Sequence, residues 1–73
     1  MKYEKERRFV KEACEQLKEE VIVSRIILLE SGSDRNGLNY VMYEDRFGRE
    51  FQITKRNGIY SKKEYVSRET RKE

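Results

Sequence analysis

LNYVMYEDRFGREFQITKRNGIYSKKEYVSR, residues 38–68, is the stretch on which the reading of this chain turns. Leu38, Tyr40 and Met42 alternate with Asn39, Val41 and Tyr43, the period-two spacing of a strand. Phe51 and Ile53 alternate with Glu50, Gln52 and Thr54 in the same way. Between them lies Asp45-Arg46-Phe47-Gly48. Asp opens turns through its side-chain acceptor, and Gly accepts a positive φ without steric cost. A loop of those residues sets Glu44 opposite Arg49, Met42 opposite Phe51 and Tyr40 opposite Ile53. One face then carries Leu38, Tyr40, Met42, Phe51 and Ile53 and is the expected core face. The other carries Asn39, Val41, Tyr43, Glu50, Gln52 and Thr54 and is mostly polar.

Lys55-Arg56-Asn57-Gly58 reads as the next turn, Asn-Gly being a strong turn dipeptide. Ser61-Lys62-Lys63-Glu64 then has the spacing of a capping box, in which Ser and Glu satisfy backbone N–H groups at a helix start. The spacing predicts a helix from Lys62 toward Arg71, with residues 69–73 fraying. Lysines at a helix N-terminus oppose its dipole, a small cost that hints at an anionic partner. The plainer explanation is that they solvate the helix end.

Upstream, Lys2–Glu20 has no Gly or Pro, and Phe9, Val10, Ala13, Cys14, Leu17 and Val21 form one apolar stripe. An amphipathic helix covering a sheet is the favoured reading, a dimerising or partner-binding helix the lesser one. Val21–Leu29 is rich in β-branched residues and apolar on both faces, which favours a doubly covered strand. Its alternative is a continuation of the first helix to Leu29, since Val10, Cys14, Leu17, Val21, Ser24 and Leu28 keep a heptad-like rhythm. Ser31–Gly37 reads as a loop. It precedes a strand and has no Lys-Ser/Thr ending, so it is not a phosphate-cradling P-loop. The expected fold is α+β: an N-terminal amphipathic helix, a three-stranded antiparallel sheet and a short C-terminal helix (αβββα), one domain over residues 1–73.

Seventy-three residues bury a thin core, about 60% of the surface exposed on unfolding. Stability is therefore modest or borrowed from a partner, a homodimer included. The net charge of +3 is uneven: residues 1–34 hold 7 basic and 8 acidic side chains, residues 35–73 hold 10 and 6. His is absent and Cys14 is alone, which removes the commonest general base, the commonest metal ligand and any intrachain disulfide. No acidic pair is isolated in an apolar setting where a pKa would move. No catalytic residue, cofactor or metal site is expected. No apolar run reaches the ~18 residues of a membrane span and no signal peptide opens the chain, so a cytoplasmic protein without a membrane partner is expected.

Tyr40 to Glu64 resembles the arm-type DNA-binding domain of tyrosine recombinases and phage integrases. The resemblance rests on Tyr40 and Tyr43, Asp45 with Gly48 and Arg49, Lys55 with Gly58, and Ser61-Lys62-Lys63-Glu64. It implies a three-stranded sheet lying in the DNA major groove. By element order and the same Ser-Lys-Lys-Glu, the chain is also similar to the double-stranded-RNA-binding domain, whose lysines there contact phosphates. The Gly-Pro-x-His loop of that family is absent, and Tyr65-Val66-Ser67-Arg68 replaces its alanine-rich helix.

Two functional expectations follow. The first is a non-catalytic module contacting duplex DNA or RNA through a basic sheet face and helix start. Arg49, Lys55, Arg56, Lys62 and Lys63 are its candidate phosphate contacts; Asn39, Tyr43 and Gln52 are its candidate groove readers. The second is a phage-type protein-interaction module that inhibits a host or defence enzyme. The interspersed charges around Arg46 and Arg49 and the apolar Val21–Leu29 segment suit that reading.

Overall fold

The computed structural model describes residues 3–65. Helix α1 spans Glu4–Leu17, a 3-10 turn spans Val23–Arg25, and four strands follow: β1 Ile27–Asp34, β2 Gly37–Glu44, β3 Glu50–Arg56 and β4 Ile59–Tyr65. The strands form one antiparallel meander in the order β1-β2-β3-β4. The class is α+β, but the sheet has four strands, not three, and residues 59–65 are its fourth strand rather than the start of a helix.

α1 ends earlier than its composition suggests because Lys18 turns left-handed, at φ 60°. The Glu19 N–H then reaches back to the Cys14 carbonyl at 2.8 Å, the reverse turn that commonly closes helices. Val21–Leu29 is not one strand. Its first half is a connector that includes the 3-10 turn, and the Arg7 guanidinium of α1 donates to the Val23 and Ile26 carbonyls. β1 starts at Ile27 and runs on through Ser31-Gly32-Ser33, which composition alone marks as loop. Asp34 then accepts the Asn36 N–H at 2.8 Å, and Gly37 closes the turn at φ 109°.

The β2–β3 loop is one residue longer than expected. Asp45 Oδ1 accepts the N–H groups of Phe47 and Arg49, both at 2.9 Å, and Gly48 takes φ 84°. Arg49 thus stays in the loop and Glu44 pairs with Glu50. A one-residue slip exchanges the two faces of a strand. Val41 and Tyr43 therefore point into the core with Phe51 and Ile53, while Tyr40 and Met42 leave it. Leu38 still packs against the core, because an irregularity at Asn39 resets the alternation.

β4 follows a two-residue hairpin turn, with Asn57 at φ 52° and Gly58 at φ 79°. Both central residues have positive φ, the geometry that matches strand twist. The chain returns at once into register with β3, Arg56 opposite Ile59 and Gln52 opposite Lys63. Pairing along a whole strand outweighs the local capping signal of Ser61 and Glu64. The rest of the expected C-terminal helix and the frayed end lie outside the described residues.

The core is one layer deep. Phe9, Val10, Ala13 and Cys14 of α1 meet Val41, Tyr43, Phe51, Ile53 and Tyr60 of the sheet. The rings of Phe9 and Tyr60 meet edge to face, with centroids 5.3 Å apart. Among the described residues nothing covers the opposite side of the sheet.

Candidate nucleic-acid interface

The open side of the sheet carries Tyr40 and Met42 from β2, Gln52 and Thr54 from β3, and Ser61, Lys63 and Tyr65 from β4, since paired residues share a face. At the end where the two hairpin turns project lies a shallow groove. Asn36, Asn39, Tyr40, Gln52 and Thr54 line it, with Asp34, Lys55, Arg56 and Asn57 at its border. Its lining is rich in amides and hydroxyls, groups that hydrogen-bond in either direction.

The groove gathers four of the eight residues singled out from sequence: Asn39, Gln52, Lys55 and Arg56. Asn39 sits where the β1–β2 pairing slips by one residue. Its Nδ2 makes a long 3.5 Å contact to Asp34, and its buried Oδ1 has no partner. Gln52 accepts the Tyr65 hydroxyl, which holds its amide across the sheet. Lys55 borders the groove from the helix side, its Nζ 5.3 Å from the Tyr60 ring centre. Lys63 lies on the same open face, exposed, with Nζ 5.4 Å from the Tyr65 ring centre.

The other three are elsewhere. Tyr43 is 1% exposed in the core, where burial, reinforced by the neighbouring Cys14, pushes its hydroxyl pKa far up. Arg49 is held by Asp45 in the β2–β3 loop, at 3.1 Å. Lys62 faces the helix, pairs with Glu19 and stacks over Phe51 at 4.2 Å. Sequence reasoning put Tyr40 in the core. A pointer to its true place was Gly32 on the adjoining strand: the Tyr40 ring lies across it, and a Cβ there would stand 2.2 Å from Tyr40 Cε1. The Tyr40 hydroxyl donates to Glu30 at 2.7 Å, and that bond raises its pKa.

Charge divides the open face. Glu44 and Glu50 stand opposite each other at the end away from the hairpin turns, with Tyr65 beside Glu50. Arg56 lies at the hairpin-turn end and Lys63 midway along β4. Arg35 sits in the β1–β2 turn. Asp34 borders the groove and Glu30 holds the Tyr40 hydroxyl, so the excess of Lys55 and Arg56 there is small. An anion nevertheless meets less repulsion at the groove than beside Glu44 and Glu50.

At that far end, on the helix side, Ile22, Ile26, Tyr43, Phe47 and Phe51 line a second cavity of about 200 Å³ bordered by Arg25, Arg46, Arg49 and Lys62. Phe47 is 68% exposed, with the Arg46 and Arg49 guanidinium carbons 4.8 and 5.6 Å from its ring centre.

No group of acidic or sulfur side chains among the described residues is arranged to hold a metal ion, and no helix among them is long and apolar enough to cross a membrane. No family model, curated protein or solved structure matches this chain.

Proposed function

We propose that this chain is a small non-catalytic module that binds nucleic acid on the open face of its sheet, at the hairpin-turn end. The observation that carries the reading is the groove itself. It brings Asn39 of β2 beside Gln52 and Arg56 of β3, with Lys55 at its helix-side border. Lys and Arg supply sequence-independent affinity for phosphates, and amides read base edges. Lys55, Arg56 and Lys63 are the phosphate contacts in this reading; Asn39 and Gln52 are the base readers. The Ser61–Glu64 helix start plays no part, because that segment is strand. The raised proton affinities of Cys14 and Tyr43 come first from burial in the core.

The test is a titration of labelled DNA and RNA at two salt concentrations. Neutralising Lys55 and Arg56 together is expected to weaken binding and to flatten the log-affinity against log-salt slope by about 1.4–1.8. Wild-type binding no tighter than ~0.1 mM, the weak end of non-specific affinity, overturns the reading.

A second reading, a protein-interaction module such as an inhibitor docking on an enzyme, is favoured by Phe47. Exposed aromatic and arginine side chains on an ordered loop have the composition of binding hot spots. The adjoining cavity, at about 200 Å³, is smaller than the ~300–1,000 Å³ of ordinary ligand pockets and suits a partner's side chain.

A further inference from the structure

We infer that the nucleic acid taken by this face is single-stranded, with one base stacked on the ring of Tyr40. The inference rests on the nucleic-acid reading above and narrows it.

The first ground is width. Strands in a sheet lie about 4.8 Å apart, so four of them span about 14 Å between the outer backbones, before side chains are added. The major groove of B-DNA is about 12 Å wide and admits a two-stranded ribbon or a helix. Gln52 and Thr54 lie on β3, flanked on both sides by other strands. A duplex laid on the face is held away from these inner side chains. A single strand has no such constraint, because its bases splay out toward a flat surface.

The second ground is the posture of Tyr40. Its ring lies across Gly32, where there is no Cβ to lift it, and its hydroxyl is tied to Glu30 at 2.7 Å. The ring is thus fixed flat on the sheet before any ligand arrives, with its other side toward the open face. Base–aromatic stacking tolerates any base, since each has a π face. A ring already held in place loses little freedom on binding.

The third ground is what surrounds the ring. Asn39 borders the same groove, with its Oδ1 buried and its Nδ2 reaching toward Asp34 at 3.5 Å. The Tyr65 hydroxyl occupies the Gln52 carbonyl, which leaves the Gln52 NH₂ to donate. An amide donor beside a stacking surface can hydrogen-bond the exposed edge of an unpaired base. Arg56 and Lys55 border the groove where the strand's phosphates would pass.

Anisotropy titrations with a labelled oligonucleotide of about 12 nucleotides, as single strand and as duplex, in DNA and RNA, test the inference at ~0.15 M salt. The single strand is expected to bind more tightly than the duplex. Tyr40→Leu is expected to weaken single-strand binding roughly 5- to 150-fold, and Tyr40→Phe, which keeps the ring over Gly32 but loses its tie to Glu30, to weaken it less than Tyr40→Leu does. Gly32→Ala displaces the ring while keeping the tyrosine, and is expected to weaken single-strand binding as well. A 5-iodouracil oligonucleotide photo-crosslinked to the unmodified protein is expected to attach at Tyr40, which gives a readout independent of whether any variant folds. Duplex binding equal to or tighter than single-strand binding, or a crosslink confined to other residues, overturns the inference and leaves the nucleic-acid reading standing. Failure of both forms to bind overturns the nucleic-acid reading itself.

Discussion

Tyr43 on β2 stands directly opposite Phe51 on β3, ring centroids 5.5 Å apart, and this pair determines which way β2 faces. Both rings are buried, and Val41 follows Tyr43 inward at 0% exposure. Phe51→Ala is expected to cost about 3–5 kcal/mol, a large part of the stability of so small a domain. Val41→Thr places a hydroxyl in the core and is expected to cost about 1–3 kcal/mol. Met42→Ala, on the open side, is expected to cost at most about 1.5 kcal/mol. Urea unfolding of the three variants checks the order; a greater loss at Met42 than at Val41 would reverse the faces.

Gln16 pins the helix to the edge of the sheet. Its Oε1 accepts the Tyr60 N–H at 2.8 Å and its Nε2 donates to the Gly58 carbonyl at 3.1 Å. β4 is an edge strand, so N–H groups on its outer side have no ladder partner. Gln16→Ala leaves the Tyr60 N–H without that acceptor, at an expected cost of about 1–3 kcal/mol. Hydrogen exchange at Tyr60 should quicken in the variant while exchange at Ile53 slows or speeds only with global stability.

Asp45 makes the β2–β3 loop sensitive to acid. Burial alone would raise its pKa, but the N–H groups of Arg49 and Phe47 and the Arg49 guanidinium outweigh burial and hold it below the usual carboxylate value. A depressed carboxyl pKa stabilises the folded state above the unfolded pKa, near 3.9, and the contribution is lost as pH falls through the lower folded value. Asp45→Asn is expected to remove that part of the acid loss. Unfolding free energies from pH 6 to pH 2 check it: the difference between wild type and variant should shrink toward the acid end.

Cys14 is 1% exposed, and burial raises its thiol pKa. Thiolate is the reactive form, so a buried thiol with a raised pKa is inert. Labelling by a thiol reagent at neutral pH is expected to follow the unfolding of the domain. Rapid stoichiometric labelling of the folded protein would place Cys14 outside the core.

Local patterns carried part of this structure into the sequence. The Phe9, Val10, Ala13, Cys14 stripe marks α1, the Phe51–Ile53 alternation marks β3, and Asn57-Gly58 marks the turn after it, though not the strand that follows. What stayed hidden depends on contacts between distant residues. Asp45 draws Arg49 into the loop through its side chain, and that one added residue turns β2 over, moving Tyr43 into the core and Tyr40 out. Ser31-Gly32-Ser33 becomes strand because β2 pairs with it and Tyr40 covers Gly32. Ser61–Glu64 has a genuine capping pattern, yet its pairing with β3 prevails. For the site, residue type was informative where facing was not. Asn39, Gln52, Lys55 and Arg56 meet in one groove, while Lys62, adjacent in sequence to Lys63, lies on the other side of the sheet.

The central claim, that the open face binds nucleic acid at its hairpin-turn end, is tested most directly by amide and side-chain NMR shifts of the labelled protein as a short single-stranded oligonucleotide is added. Binding as proposed moves the signals of Asn39, Tyr40, Gln52, Thr54, Arg56 and Lys63 together, and leaves those of Ile22, Arg25 and Phe47 in place. Shifts centred on Phe47 and Arg25, or none at millimolar oligonucleotide, would contradict it.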